Sequence, residues 1–159
     1  MSRIVQLSLL LLLGASPILA GYPETDKLVE EAKKASGEIT AKNLKKLLDD
    51  NEDLIMLDVR EANQRAEGQI HSDEFFAITR GNLEFKVLYK IDDKDIMIVT
   101  YCRSGGRGAL AAQTLRKMGY KNVVSLQGGL NRIPHRYRSW CNKTREKIEH
   151  ATSAETKTI

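Results

Sequence analysis

The sequence predicts an α/β fold, a central parallel sheet with helices on both faces. Three observations carry that prediction. Short apolar runs bounded by charge read as strands covered on both faces. Segments of helical periodicity fall between those runs, the alternation expected of βα units. Glycines stand where the helices should stop.

In chain order, "ETDKLVEEAKKA" sets Leu28, Val29 and Ala32 at helical spacing and predicts a short surface helix ended by Gly37. "ITAKNLKKLLDDN" predicts a second helix, with Thr40 as its N-cap and Leu44, Leu47 and Leu48 on one face. "DLIMLDVRE" and "DIMIVTYC" read as buried strands, the latter ending at Cys102. The alanine- and leucine-rich stretch from Arg107 to Met118 predicts a helix stopped by Gly119, and "NVVSLQGG" a third strand. Ligands bind such sheets beyond the carboxyl ends of the strands, which is where Cys102 falls.

With 159 residues, 42% hydrophobic and 29% charged, the chain has material for one domain and a real core. A formal charge of +4, with both signs interleaved, gives no argument for nucleic acid. No nucleotide motif and no His/Cys cluster at metal-ligand spacing occurs, so neither a cofactor nor a metal is expected. Residues 1–20 have the layout of a secretory signal peptide: Arg3, an apolar run from Ile4 to Leu13, and a small-residue exit at Leu19-Ala20-Gly21. An uncleaved anchor is the alternative, but the run is short for a bilayer. The expected organisation is a signal at 1–20, a helical extension at 21–38, one domain at 39–141 and a charged tail at 142–159. Export is expected, to the periplasm in a Gram-negative cell, with no stable membrane insertion after cleavage.

Two cysteines remain, Cys102 and Cys141. In an oxidising compartment such a pair can form a disulfide, but a domain of this size does not require one. The loop "CRSGGRG" at 102–108 favours a reactive thiol. Glycines admit positive φ, so successive N–H groups can converge into an anion-binding nest. The following helix adds its N-terminal dipole, and Arg103 and Arg107 add permanent charge. Such surroundings stabilise a thiolate and hold an oxyanion beside it. A packing cysteine ahead of an anion-binding loop is the blander alternative.

"DVRE" at 58–61, "CRSGGRG" at 102–108 and "LQGGL" at 126–130 together resemble a single-domain rhodanese, over roughly Ile39 to Leu130. The resemblance implies a sulfurtransferase that takes sulfane sulfur from a small anionic donor such as thiosulfate. Cys102 matches the catalytic cysteine, which holds the sulfur as a persulfide and passes it to a thiol or cyanide-like acceptor, a protein acceptor or reductant included. Arg103, Ser104, Gly105, Gly106 and Arg107 match the active-site loop. Asp58 and Arg60 are expected to tie the loop arginines to the sheet, chiefly as a structural ion pair. Four residues separate Cys102 from Arg107. The related cysteine phosphatases and arsenate reductases use a loop one residue longer.

Two stretches depart from the family pattern. "EGQIHSDEFFAITRG" carries Gln69 where the family has a histidine and lacks its Pro-Gly. After the glycine pair, Pro134 interrupts the helical pattern and Trp140 arrives late. Arg132, Arg136, Arg138, Lys143 and Arg145 make that end basic, which reads as a solvated face or as steering for anionic partners. His135 reads as surface. Two alternatives to the enzyme stay open: a non-catalytic module that binds an anion or partner, and a redox sensor pairing Cys102 with Cys141.

Cleavage is expected after Ala20. N-terminal sequencing of the exported protein should begin at Gly21; full-length chain recovered in the membrane would favour the anchor.

Overall fold

A computed structural model describes residues 22–66 and 68–140. Five parallel strands form one sheet in the order β1-β5-β4-β2-β3. They are β1 (Glu38–Ile39), β2 (Leu54–Asp58), β3 (Glu74–Ala77), β4 (Met97–Tyr101) and β5 (Asn122–Leu126). The helices are α1 (Pro23–Ser36), α2 (Ala41–Asp49), α3 (Ala62–Arg65), α4 (Leu83–Lys86) and α5 (Gly106–Lys117).

Alternation along the central strands builds two cores. Ile55, Leu57 and Ile98 face the layer of α5 with Ala111, Ala112 and Leu115, while Leu54, Met56 and Val99 face Leu44 of α2. Both faces of β2 are therefore covered, and all five of its residues are buried. This is why its sequence is a continuous apolar run instead of an alternating one. The α/β class with helices on both faces is the observed one.

Local signals act where the sequence places them. Thr40 caps α2, its hydroxyl oxygen accepting the Asn43 N–H at 3.2 Å. Gly37 follows α1 at φ +79° and Gly119 follows α5 at φ +93°, conformations that glycine adopts without a Cβ penalty.

Three elements differ from expectation. The first helix is no short surface piece: α1 runs 14 residues and packs on α5, burying Ala32 and Ser36. Ser36 is further held through its carbonyl, which accepts from the Arg116 guanidinium at 3.4 Å. The segment 67–81, for which the sequence predicts no strand, contributes the edge strand β3 beside β2. Beyond the glycine pair the chain takes two 3₁₀ turns, Gly129–Arg132 and His135–Trp140, on either side of Pro134. The signal segment 1–20, Cys141 and the tail 142–159 lie outside the described residues. No helix among the described residues is long and apolar enough to cross a membrane.

Candidate active site

Cys102 follows the last residue of β4 directly, and α5 begins four positions later, so the loop is a tight strand-to-helix turn. Gly108 makes the close packing possible. A Cβ there would stand 3.3 Å from the Tyr101 Cα, and the Thr100 hydroxyl donates to the Gly108 carbonyl at 2.8 Å. The N-terminal end of α5, with its unpaired N–H groups, is thereby pressed against the end of β4.

The thiol is 1% exposed. Its sulfur accepts a hydrogen bond from the Gly105 N–H at 3.2 Å. Gly105 is left-handed (φ +97°), which turns that amide inward, while Arg103 and Ser104 are exposed and Arg107 is half-buried. Cys102 is a free cysteine.

A second loop fixes the first from behind. Leu130 N–H donates to the Cys102 carbonyl at 3.0 Å, and Asn131 N–H to the Arg103 carbonyl at 2.9 Å. A trans peptide points its C=O and the next N–H to opposite sides. With both carbonyls engaged, the amides of Arg103 and Ser104 face away from the clamp. Gly128 and Gly129, at φ +68° and +59°, let the clamp come this close. A Cβ on Gly129 would lie 2.4 Å from the Cys102 carbonyl oxygen and 2.8 Å from the Gly105 nitrogen.

The opposite wall grows from a buried ion pair. Asp58 and Arg60 are both 0% exposed. Arg60 Nη2 donates to Asp58 Oδ2 at 2.6 Å, and its Nε meets both carboxylate oxygens at 3.0 Å. The remaining guanidinium donors go to the carbonyls of Gln64 (2.8 Å) and Gly68 (2.6 Å), so Arg60 staples the whole turn after β2. Burial opposes the Arg60 charge; the Asp58 hydrogen bond and charge outweigh it and raise its pKa. Tyr101 closes the layer, its hydroxyl oxygen accepting the Ile70 N–H at 3.3 Å. Burial, then the Asp58 charge, push that hydroxyl far above its ordinary pKa, so it stays neutral.

Cys102, Arg103, Ser104, Gly105, Gly106 and Arg107 thus form one turn. Asp58 and Arg60 stand behind its neighbouring wall, and the tie to the loop runs through a residue the sequence did not single out. Gln64 Oε1 accepts from Arg107 Nη2 at 2.7 Å. A Glu-x-x-Gln spacing at the start of a helix, here Glu61 to Gln64, is the one signal that marks Gln64 as a capping group. Gln69 is half-buried in the turn that Arg60 staples. Of the basic C-terminal set, Arg132 lies across Gly128 and Arg136 stacks on Tyr137 at 4.9 Å. His135 is exposed. Lys143 and Arg145 lie outside the described residues, and nothing is described of the Arg138 and Trp140 side chains.

Comparison with known proteins points to one family. A family model described as the rhodanese-like domain matches residues 40–134, more than half of the chain. A sulfurtransferase of Allochromatium vinosum is 31% identical over 93 residues, covering 58% of this chain and 83% of that protein. Among solved structures, the polysulfide-sulfur transferase homodimer of Wolinella succinogenes is 28% identical at a TM-score of 0.60, covering 68% of this chain and 80% of its own. A Rhodopseudomonas palustris protein of unknown function, titled a possible tyrosine phosphatase, is 27% identical at a TM-score of 0.60, covering 74% of this chain and 92% of its own.

Two substitutions test this construction. Arg60→Met leaves the Asp58 carboxylate buried and unpaired, and denaturant unfolding should show a loss of about 3–5 kcal/mol. Gly129→Ala should lose about 1–3 kcal/mol from backbone strain alone, with the clash against the Cys102 carbonyl in addition. Gly81→Ala, whose Cβ would meet nothing within 4 Å, is the control and should stay near wild type.

Proposed function

The chain belongs to the rhodanese-like domain family, and from that premise we propose that it is a sulfurtransferase carrying sulfane sulfur on Cys102. The observation that supports this best is the hydrogen bond from Gly105 N–H to the Cys102 sulfur, made by a loop whose carbonyls are held from behind. A backbone that already donates to sulfur is arranged for a sulfur anion.

With thiosulfate as donor, the Cys102 thiolate attacks the outer sulfur. A bond forms between the two sulfurs as the thiosulfate S–S bond breaks, and sulfite leaves with the electron pair. The persulfide anion then lies among the loop amides at the start of α5. An acceptor nucleophile, a thiolate or cyanide, attacks the terminal sulfur and Cys102 leaves as thiolate. No external oxidant or reductant is consumed. Arg103 and Arg107 attract the anionic donor and offset charge on the departing sulfite. Asp58 and Arg60 stabilise the wall and take no part in bond changes.

The loop length argues against phosphate ester chemistry: four residues between Cys102 and Arg107 leave a smaller ring than phosphatases of related design use. An exported location is part of the proposal and follows from the signal-like residues 1–20.

Thiosulfate-treated protein should gain the mass of one sulfur, mapped to Cys102 and removed by cyanide. Cys102→Ser should abolish the adduct and lower turnover by about a thousandfold or more. Cys141→Ser should retain turnover, since Cys141 lies outside the loop. Folded, reduced protein that stays unmodified across a panel of sulfane donors would refute the enzyme reading. A Cys102–Cys141 link after mild oxidation would support the redox sensor instead.

A further inference from the structure

Arg107 is held by a neutral partner. The Gln64 oxygen that accepts from its Nη2 at 2.7 Å also faces the Glu61 N–H, at 3.4 Å. Two donors converge on one atom, so that atom is the amide oxygen and not the amide nitrogen. Gln64 itself is anchored through its carbonyl, which accepts from Arg60 Nη1 at 2.8 Å, and Arg60 is locked to Asp58 in the interior. A chain of fixed groups therefore runs from the buried ion pair to the guanidinium at the end of the cysteine loop, and its Gln64–Arg107 link spans 43 positions of sequence. Among the described residues no carboxylate forms an ion pair with Arg107.

An amide and a carboxylate of the same length hold a guanidinium in similar geometry but with different electrostatic results. The carboxylate makes a charge-assisted pair and neutralises the arginine. The amide fixes direction and leaves the positive charge in place. We propose that Gln64 is a positioning residue that aims Arg107 while leaving its charge uncompensated for an anionic sulfur donor, and so sets the affinity of the site for such donors. The proposal rests on the reading of Cys102 as sulfur carrier, and it can be tested with and without transfer.

Two variants separate aim from charge. Gln64→Glu keeps an acceptor oxygen and adds a negative charge; Gln64→Met keeps the length and removes the acceptor. In steady-state turnover, Gln64→Glu should raise the KM for thiosulfate about tenfold, with a smaller fall in kcat from the charge that Arg107 no longer offers the departing sulfite. Its KM should also depend less on salt than that of wild type, because one of the two attracting charges is cancelled. Gln64→Met should raise KM as well, through a wandering guanidinium, but keep the salt dependence. Unfolding midpoints near wild type would show that both variants fold.

Thiosulfate binding to Cys102→Ser protein, followed by calorimetry, reports on the anion site when no sulfur can move. Adding Gln64→Glu there should weaken binding about tenfold. If wild type transfers no sulfur but this weakening is seen, the sulfurtransferase reading fails and the role of Gln64 stands. Wild-type KM and affinity in Gln64→Glu, a Gln64→Met variant indistinguishable from wild type, or no saturable binding to Cys102→Ser would each overturn the role of Gln64.

Discussion

The contact on which the site depends is between two backbones, Gly129 against Cys102 and Gly105. No side chain fits in that gap, since even a Cβ would stand 2.4 Å from a carbonyl oxygen. Because the chain passes so close, the amides of Leu130 and Asn131 reach the carbonyls of Cys102 and Arg103. Those carbonyls are turned away from the sulfur side of the loop, and the Gly105 amide is left to face the sulfur. The clamp thus makes an anion-tolerant surface from groups that carry no net charge and need no proton. The glycine pair after β5 and the glycines of the cysteine loop are two halves of one device.

The buried pair of Asp58 and Arg60 does a different job. Ion pairs in a protein interior return little net stability, because desolvation offsets the attraction. What this pair provides is position. The guanidinium spends its remaining donors on the carbonyls of Gln64 and Gly68, which gives a turn with few apolar anchors a defined path. That path ends at Ile70, whose side chain is buried and whose N–H meets Tyr101. Tyr101 belongs to β4, one residue before Cys102. The wall and the cysteine loop are consequently referenced to the same strand.

The sequence is legible where burial or chemistry is extreme. The strands β2, β4 and β5 are covered on both sides, and their apolar runs announce them. The edge strands are not legible: β1 has two residues, and β3 is "EFFA" with exposed ends, too short and too mixed to distinguish from loop. Cys102 and its loop stand out because glycines and arginines are a costly way to pack a thiol. "LQGGL" was legible only through family resemblance, since its function lies in a backbone approach that no residue pattern spells out. Gln64 escaped for a related reason. A half-buried glutamine carries no charge or periodic signal, and its partner is 43 positions away.

The central proposal is that backbone amides, held by the glycine clamp, cradle a sulfur carried on Cys102. A crystal structure of thiosulfate-treated protein tests it most directly. The account predicts a second sulfur on Cys102, turned into the loop and within hydrogen-bonding distance of the amides between Arg103 and Arg107. A terminal sulfur swung out to solvent, or held only by arginine side chains, would contradict it.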